Sequence, residues 1–236
     1  MRIELKPEER IEELGGGIRV IQNPGWFCYG TDAVMLADFV SAKPQDKLMD
    51  FCTGTAIIPL LLSARTVCRD MTALEIQEEV ADMARRSVRL NNLEERIDVR
   101  CVDLRRCREL FRAESFDVVT CNPPYMRPNT GKENQNDSKT IARHEICCTL
   151  EDVLENAAYL LKTGGRFYLV HRPERLADIF YEMKRRRLEP KRMQFVHADL
   201  KNAPSLVLVE GQKGRKSGLI AEKPVQVKNA ADFLEK

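Results

Sequence analysis

Asn122-Pro123-Pro124-Tyr125 is the stretch of this sequence whose residue types and order are most specific to one chemistry. It directly follows the apolar run Phe116 to Cys121, which has the character of a buried strand. Two consecutive prolines cannot continue a strand, and they stiffen the chain just beyond it. The asparagine carboxamide oxygen and the backbone carbonyl after it then form a fixed pair of acceptors. Such a pair matches the two hydrogens of an exocyclic amine. A conjugated amine is a poor nucleophile because its lone pair is delocalised. Acceptors on both hydrogens favour the pyramidal geometry that frees the lone pair for in-line attack on a sulfonium methyl, a transition state stabilised by placed dipoles without a strong base. Tyr125 would stack on the planar group bearing the amine. A strand-terminating turn with a surface tyrosine is the plainer alternative.

Three acids stand at the ends of the preceding apolar runs. Asp50 closes the first and leads into Cys52-Thr53-Gly54-Thr55-Ala56, where Gly54 would let the backbone approach a ligand closely. Glu75, followed by Ile76, closes the second. It lies 75 − 50 = 25 residues after Asp50, near the roughly 20-residue spacing at which an acid meets ribose hydroxyls in dinucleotide folds. Asp103, followed by Leu104, closes the third and would accept from an adenine amino group. Each acid also suits a purely structural role: Asp50 as a helix-dipole partner, Glu75 as a solvated strand end, Asp103 as a helix N-cap. Their shared position at successive strand ends favours a common ligand.

The elements that must position these residues follow from periodicity. Ile18 to Gln22 reads as a strand, Asn23-Pro24-Gly25 as a turn and Trp26 to Tyr29 as a return strand, forming an N-terminal hairpin. Thr31 or Asp32 would cap a helix burying Ala33, Val34, Leu36, Ala37 and Val40. Strand–helix alternation begins at residue 47. Strands are expected at 48–50, 72–75, 97–102, 116–121 and 166–170, with helices at 57–64, 78–91, from Thr149 to Gly164-Gly165, and from Pro173. Lys191 to His197 and Leu206 to Val209 are joined by too few residues for a crossover helix and should pair antiparallel. The expected architecture is α/β: a seven-stranded, mostly parallel sheet with one antiparallel strand and helices on both faces. Three segments are expected: the hairpin and first helix packed on the core (1–45), the main domain (46–211), and a basic link with a C-terminal tail (212–236).

The chain has 236 residues and a net charge of +2, so any surface for an anionic partner must come from local patches. No apolar stretch is long enough to span a bilayer, and the N-terminus lacks a signal-peptide core. The 8 cysteines include no C-x-x-C pair, and the 3 histidines share no ligand spacing with them. Buried reduced thiols, no metal site and a cytoplasmic location are therefore expected.

Asp50 to Ala56, Glu75, Asp103 and Asn122-Pro123-Pro124-Tyr125 together resemble the Rossmann-like class I methyltransferases, over roughly residues 28 to 210. The resemblance implies S-adenosyl-L-methionine as cofactor, with Asp50 and Gly54 facing its methionine part, Glu75 its ribose and Asp103 its adenine, and with Tyr29, Thr31, Asp32, Thr53, Ile76, Leu104 and Asn122 also counted among the cofactor-binding residues. Cys52 and Ala56 depart from the family's usual glycines. Asn-Pro-Pro-Tyr occurs in family members acting on adenine N6, guanine N2 of rRNA, and a release-factor glutamine. Gln22 to Phe39 and Glu151 to Arg172 are similar to bacterial tRNA1(Val) adenine-N6 methyltransferases, which implies tRNA as partner and an adenosine beside the anticodon as target. In that family the Tyr29-Gly30-Thr31-Asp32 segment closes over the cofactor.

The long polar stretch after Tyr125 carries Arg127, Lys132, Lys139, Arg143 and His144, candidates for RNA contact together with Tyr125. Lys184 to Arg187, Lys191 and Arg192 form a second basic run, which suits either phosphate contact or a solvated helix end. Guanine or glutamine methylation, and an inactive RNA-binding module, remain the competing functions.

Overall fold

The computed structural model describes residues 4–26, 28–66, 68–124 and 148–227. Its centre is a nine-stranded sheet. The core strands in chain order are β3 (Lys47–Phe51), β4 (Asp70–Glu75), β5 (Ile97–Cys101), β6 (Phe116–Cys121), β7 (Leu161–His171), β8 (Leu188–His197) and β9 (Leu206–Lys213). Two short strands, β10 (Ile220–Ala221) and β11 (Val225–Gln226), both pair with β8, and the spatial order is β10-β8-β9-β7-β6-β3-β4-β5. Neighbours from β7 to β5 run parallel. Strand β9 runs antiparallel to both β7 and β8, as the short link between the last two strands requires.

Alternating side chains send each strand's apolar residues to opposite faces. Leu48, Val118 and Tyr168 join the cluster under α1 (Thr31–Phe39), α2 (Ile57–Arg65) and α3 (Glu78–Leu90). Met49, Phe51, Val119 and Phe167 join the cluster under α4 (Cys107–Leu110), α5 (Leu150–Leu160) and α6 (Leu176–Arg185). In α3, Val80, Met83, Ala84 and Val88 are buried on one face, as their spacing predicts. Thr149 starts α5 with a capping box: its hydroxyl accepts from the Asp152 N–H, and the Asp152 carboxylate accepts from the Thr149 N–H.

Five local expectations change. The N-terminal hairpin exists, but β2 (Arg19–Gln22) pairs with β1 (Arg10–Glu13) upstream, and among the described residues Trp26, Cys28 and Tyr29 form no return strand. Gly15, Gly16 and Gly17 all adopt positive φ, so the turn needed to fold β1 onto β2 lies there. Helix α1 begins at Thr31 with Gly30, not Thr31 or Asp32, at its N-cap, and the Asp32 carboxylate accepts from the Ala33 N–H at 2.9 Å inside the first turn. Helix α5 stops at Leu160, ahead of Gly164-Gly165, because Leu161 already pairs with Phe116 in the sheet. Pro173 opens a 3-10 turn (Pro173–Arg175), and the α-helical pattern starts at Leu176. Residues 212 and 213, expected in the basic link, continue β9.

The hairpin is fixed to the main body through α3. Arg86 donates two bonds of 2.6 Å to the Glu9 carboxylate and a third, of 2.9 Å, to Asp82. The Ile21 N–H donates to the Ser87 hydroxyl at 2.9 Å. Trp26 packs beside Ile21, Val80 and Met83.

Candidate active site at the carboxyl ends of the strands

The first strand of the parallel set, β3, lies between β4 and β6, so chain order reverses there. That is where an open α/β sheet leaves a crevice for ligands. Register brings the predicted residues to one level: Phe51 pairs with both Leu74 and Cys121, and Glu75 with Cys101. The loop after β3, Glu75, the turn at Asp103 and Asn122 therefore leave the same edge of the sheet.

Asp50 is completely buried. Its Oδ1 accepts from the Thr120 hydroxyl at 2.5 Å, while Oδ2 has no hydrogen-bond partner. Burial pushes the carboxyl up to about 7, against the lowering effects of the Thr120 and Thr53 hydroxyls, and the nearby Glu75 adds repulsion. Thr53 Oγ1 is also buried and makes no bond in good hydrogen-bond geometry. Only four such atoms occur among the described residues, and these two belong to the end of β3 and the loop that follows it. Buried polar atoms without partners are rare in folded proteins and call for an occupant.

The loop itself is strained. Cys52, Gly54 and Ala56 all take left-handed backbone conformations, with φ of 53°, 57° and 66°. Only glycine adopts that region freely, so Cys52 and Ala56 each sit about 1–2 kcal/mol above an ordinary conformation. The two departures from glycine noted in the sequence thus fall on positions whose backbone would suit glycine.

Glu75 holds this loop. Its Oε2 accepts from the Gly54 N–H at 2.9 Å, and its Oε1 from the Ile76 and Gln77 N–H groups at 3.0 Å each. The solvated strand end considered from the sequence does not apply: Glu75 is buried, and burial raises its carboxyl, partly offset by the three amides. Its neighbour Ile76 is exposed and Leu104 is buried. Asp103 does act as an N-cap. It accepts from the Arg105 N–H at 2.9 Å, opens the 3-10 turn Leu104–Arg106, and pairs with the Arg105 guanidinium.

Asn122 and Pro124 are half-buried and Pro123 is buried at the end of β6. Tyr125, Arg127, Lys132, Lys139, Arg143 and His144 lie outside the described residues. Tyr29 is half-buried against the core, and burial with the neighbouring Glu12 raises its hydroxyl. Thr31 and Asp32 form the first turn of α1. In the second basic run, Lys184 pairs with Glu189, Arg185 and Arg186 with Glu182, and Arg192 with Glu210 and Glu222. Those acids reduce the positive field such a run would offer to phosphates.

Several residues at the site were not singled out from the sequence. Thr120 meets Asp50 only because β3 and β6 pair in that register. Gln22 and Thr55 bond to each other across the crevice wall. Cys52 and Cys148 place their sulfurs 3.6 Å apart, with buried Cys121 adjoining, and the thiols of all three are raised. Each of the seven described cysteines is a free thiol. No group of three or more His, Cys, Asp or Glu residues among the described residues could hold a metal ion. None of the helices described is long and apolar enough to cross a membrane.

Comparison with known proteins places this arrangement. The family model described as Methyltransferase small domain matches residues 17–185. A protein of Bacteroides thetaiotaomicron named tRNA1(Val) (adenine(37)-N6)-methyltransferase is 33% identical over 144 residues. That match covers 60% of this chain and 58% of the relative, so it spans a little over half of that relative's length. A protein of the same name from Porphyromonas gingivalis is 27% identical over 187 residues, covering 77% of this chain and 72% of that one. Among solved structures, a predicted O-methyltransferase from Agrobacterium tumefaciens superposes with a TM-score of 0.67 at 24% identity, covering 83% of this chain and 86% of that one. Geranyl diphosphate C-methyltransferase from Streptomyces coelicolor, solved with S-adenosyl-L-homocysteine, gives 0.58 at 15% identity, covering 77% and 79%. At these identities the structures establish the fold, which is the Rossmann-like class I methyltransferase sheet. With the family model spanning most of the chain, this protein is a member of the methyltransferase small domain family.

Proposed function

We propose that this chain transfers a methyl group from S-adenosyl-L-methionine to the N6 amino group of an adenosine in tRNA, beside the anticodon, in the cytoplasm. The observation that carries the reading is the placement of Asn122-Pro123-Pro124 at the end of β6, one strand from Asp50 and the loop that Glu75 clamps. The relatives' names supply the substrate class.

The residues present fit the cofactor. Asp50 Oδ2 and Thr53 Oγ1 are buried oxygens that make no bond in good hydrogen-bond geometry, although the Thr53 hydroxyl interacts with the Asp50 carboxylate; together they suit the ammonium of an amino-acid moiety. Gly54, with a left-handed φ of 57°, carries no side chain that would obstruct a ligand approaching the loop. Glu75 uses three lone-pair positions on backbone amides, and a ribose hydroxyl would take the remaining one in place of the Gln77 side chain, which also interacts with the carboxylate. Asp103 would exchange part of its Arg105 pairing for the adenine amino group. When bound, the cofactor supplies an electrophilic methyl on a sulfonium.

Asn122 Oδ1 and the Pro123 carbonyl would accept the two hydrogens of the target amine and orient its lone pair toward that methyl. Asn122 and Pro123 would hold the amine while it takes the methyl from the sulfonium, and the methylated amine would release one proton to solvent. Tyr125 would stack on the adenine, and Arg127, Lys132, Arg143 and His144 would meet RNA. A base in an anticodon loop must leave its stack to enter such a crevice.

The experiment is methyl transfer from labelled S-adenosyl-L-methionine to total tRNA, ribosomes and release factor in separate reactions, with digestion and identification of the product. Label in N6-methyladenosine from tRNA is expected. Methylguanosine or methylglutamine would overturn the substrate reading, and tRNA binding without transfer would point to an inactive binding module. Asn122→Ala should lower the rate about a hundredfold or more, the scale of losing one placed dipole, with cofactor affinity nearly unchanged.

A further inference from the structure

We infer that Gln22 is a positioning residue that sets the cofactor cleft, by tying the chain entering α1 to the loop after β3. The inference rests on the cofactor reading above and assigns a residue outside the strand-end set.

Gln22 ends β2 and is completely buried. Its carboxamide Oε1 accepts from the Tyr29 backbone N–H at 3.0 Å. Its Nε2 donates to the Thr55 hydroxyl at 2.6 Å and to the Ile21 carbonyl at 3.3 Å. One side chain therefore joins three segments: the hairpin, the stretch leading to Thr31 and Asp32, and the loop carrying Thr53 and Gly54.

The loop needs such a tie. Cys52 and Ala56 are left-handed without being glycine, and α2 starts behind Ala56 with no side-chain cap. Strained backbone persists only where its surroundings over-determine it. Glu75 holds Gly54 from the β4 side, and Gln22 holds Thr55 from the hairpin side. The hairpin is in turn fixed to α3 through Arg86 and Glu9 and through Ser87 and Ile21. The hairpin is therefore a brace for the cleft, and Gln22 is where the brace bears on it. An amide suits this position because it offers an acceptor and a donor at once; a carboxylate or an apolar side chain loses one or both.

The test measures S-adenosyl-L-methionine affinity by calorimetry, with kcat for tRNA methylation at saturating cofactor. All measurements are made well below each variant's ligand-free melting temperature. Gln22→Met keeps volume and removes all three bonds. Thr55→Val removes the hydroxyl and Thr55→Ser restores it. Gln22→Met and Thr55→Val should each weaken cofactor binding by about tenfold, the scale of one lost buried hydrogen bond. Thr55→Ser should recover most of what Thr55→Val loses. The double variant should bind about as well as Gln22→Met alone, because the two residues share one bond. The kcat at saturating cofactor should change by less than about threefold, since the tie acts on cofactor binding and not on the amine. If Gln22→Met does not fold, Thr55→Val against Thr55→Ser carries the same test. A folded Gln22→Met or Thr55→Val with unaltered affinity, or additive losses in the double variant, overturns the inference. Wild-type protein that binds no S-adenosyl-L-methionine overturns the underlying cofactor reading instead.

Discussion

Replacing Asp50 by Asn should remove a specific pH dependence of stability. Asp50 is completely buried, one of its oxygens has no partner, and Glu75 stands near it. Burial, first among the causes, lifts its carboxyl from 3.8 to about 7. In the unfolded chain the group returns to its ordinary value. Between about pH 4 and about pH 7 the native state therefore holds a proton that the unfolded state has released. Raising the pH through that window favours unfolding, at about 1.4 kcal/mol per pH unit. A separation of about three units amounts to roughly 4 kcal/mol of native stability, present below the unfolded value and lost by pH 7. Asn mimics the neutral carboxyl and does not titrate. Urea unfolding of the two proteins, followed by circular dichroism and by the fluorescence of the single tryptophan, Trp26, isolates the term, because the other titrating groups cancel in the difference. Wild-type stability should fall relative to Asp50→Asn by roughly 4 kcal/mol as pH rises from about 4 to about 7. A difference flat to within about 1 kcal/mol would refute the argument, and a rise would mean that the site stabilises the anion. A cationic ligand group beside Asp50 should pull its pKa back down, so cofactor affinity should increase with pH through the same window and binding should release a proton.

Three other perturbations test the frame around the site. Glu75→Gln offers one accepting oxygen where the carboxylate serves the N–H groups of Gly54, Ile76 and Gln77; ligand-free stability should drop by about 2–3 kcal/mol in denaturant titrations. Arg86→Ala leaves the Glu9 carboxylate, whose side chain is 3% exposed, without its guanidinium; a loss of about 3 kcal/mol is expected, with hydrogen exchange rising first in β1 and β2. Ala56→Gly relieves a left-handed φ of 66° but removes a buried methyl; strain relief of about 1–2 kcal/mol against about 0.8 kcal/mol of burial predicts a neutral or slightly stabilised protein, where a loss above about 1 kcal/mol would show that the strain argument is wrong.

Much of the fold was legible because its signals are local. Leu48-Met49-Asp50 and Phe116 to Cys121 are short apolar runs ending in functional residue types, and α3 repeats its apolar residues at the helical period. The short link after His197 sufficed to predict the antiparallel last pair. The hairpin was misassigned in its pairing because Asn23-Pro24-Gly25 and Gly15-Gly16-Gly17 are both turn sequences, and only the contacts of β2 with α3 select between them. The end of α5 was placed one turn late because Gly164-Gly165 is a local stop signal, whereas the Phe116–Leu161 pairing that wins is nonlocal.

By itself the sequence determined which chemistries the chain carries: Asn122-Pro123-Pro124 after an apolar run, and acids at the ends of three others. Residue type and strand periodicity are properties of neighbours along the chain, so they survive without coordinates. Only the tertiary structure decided what each acid touches. Asp50 meets Thr120 through the β3–β6 register, Glu75 turns its oxygens onto Gly54, and Gln22 reaches Thr55 across 55 − 22 = 33 residues. Those contacts arise where strands from distant parts of the chain end side by side, and that register depends on burying both faces of the sheet at once.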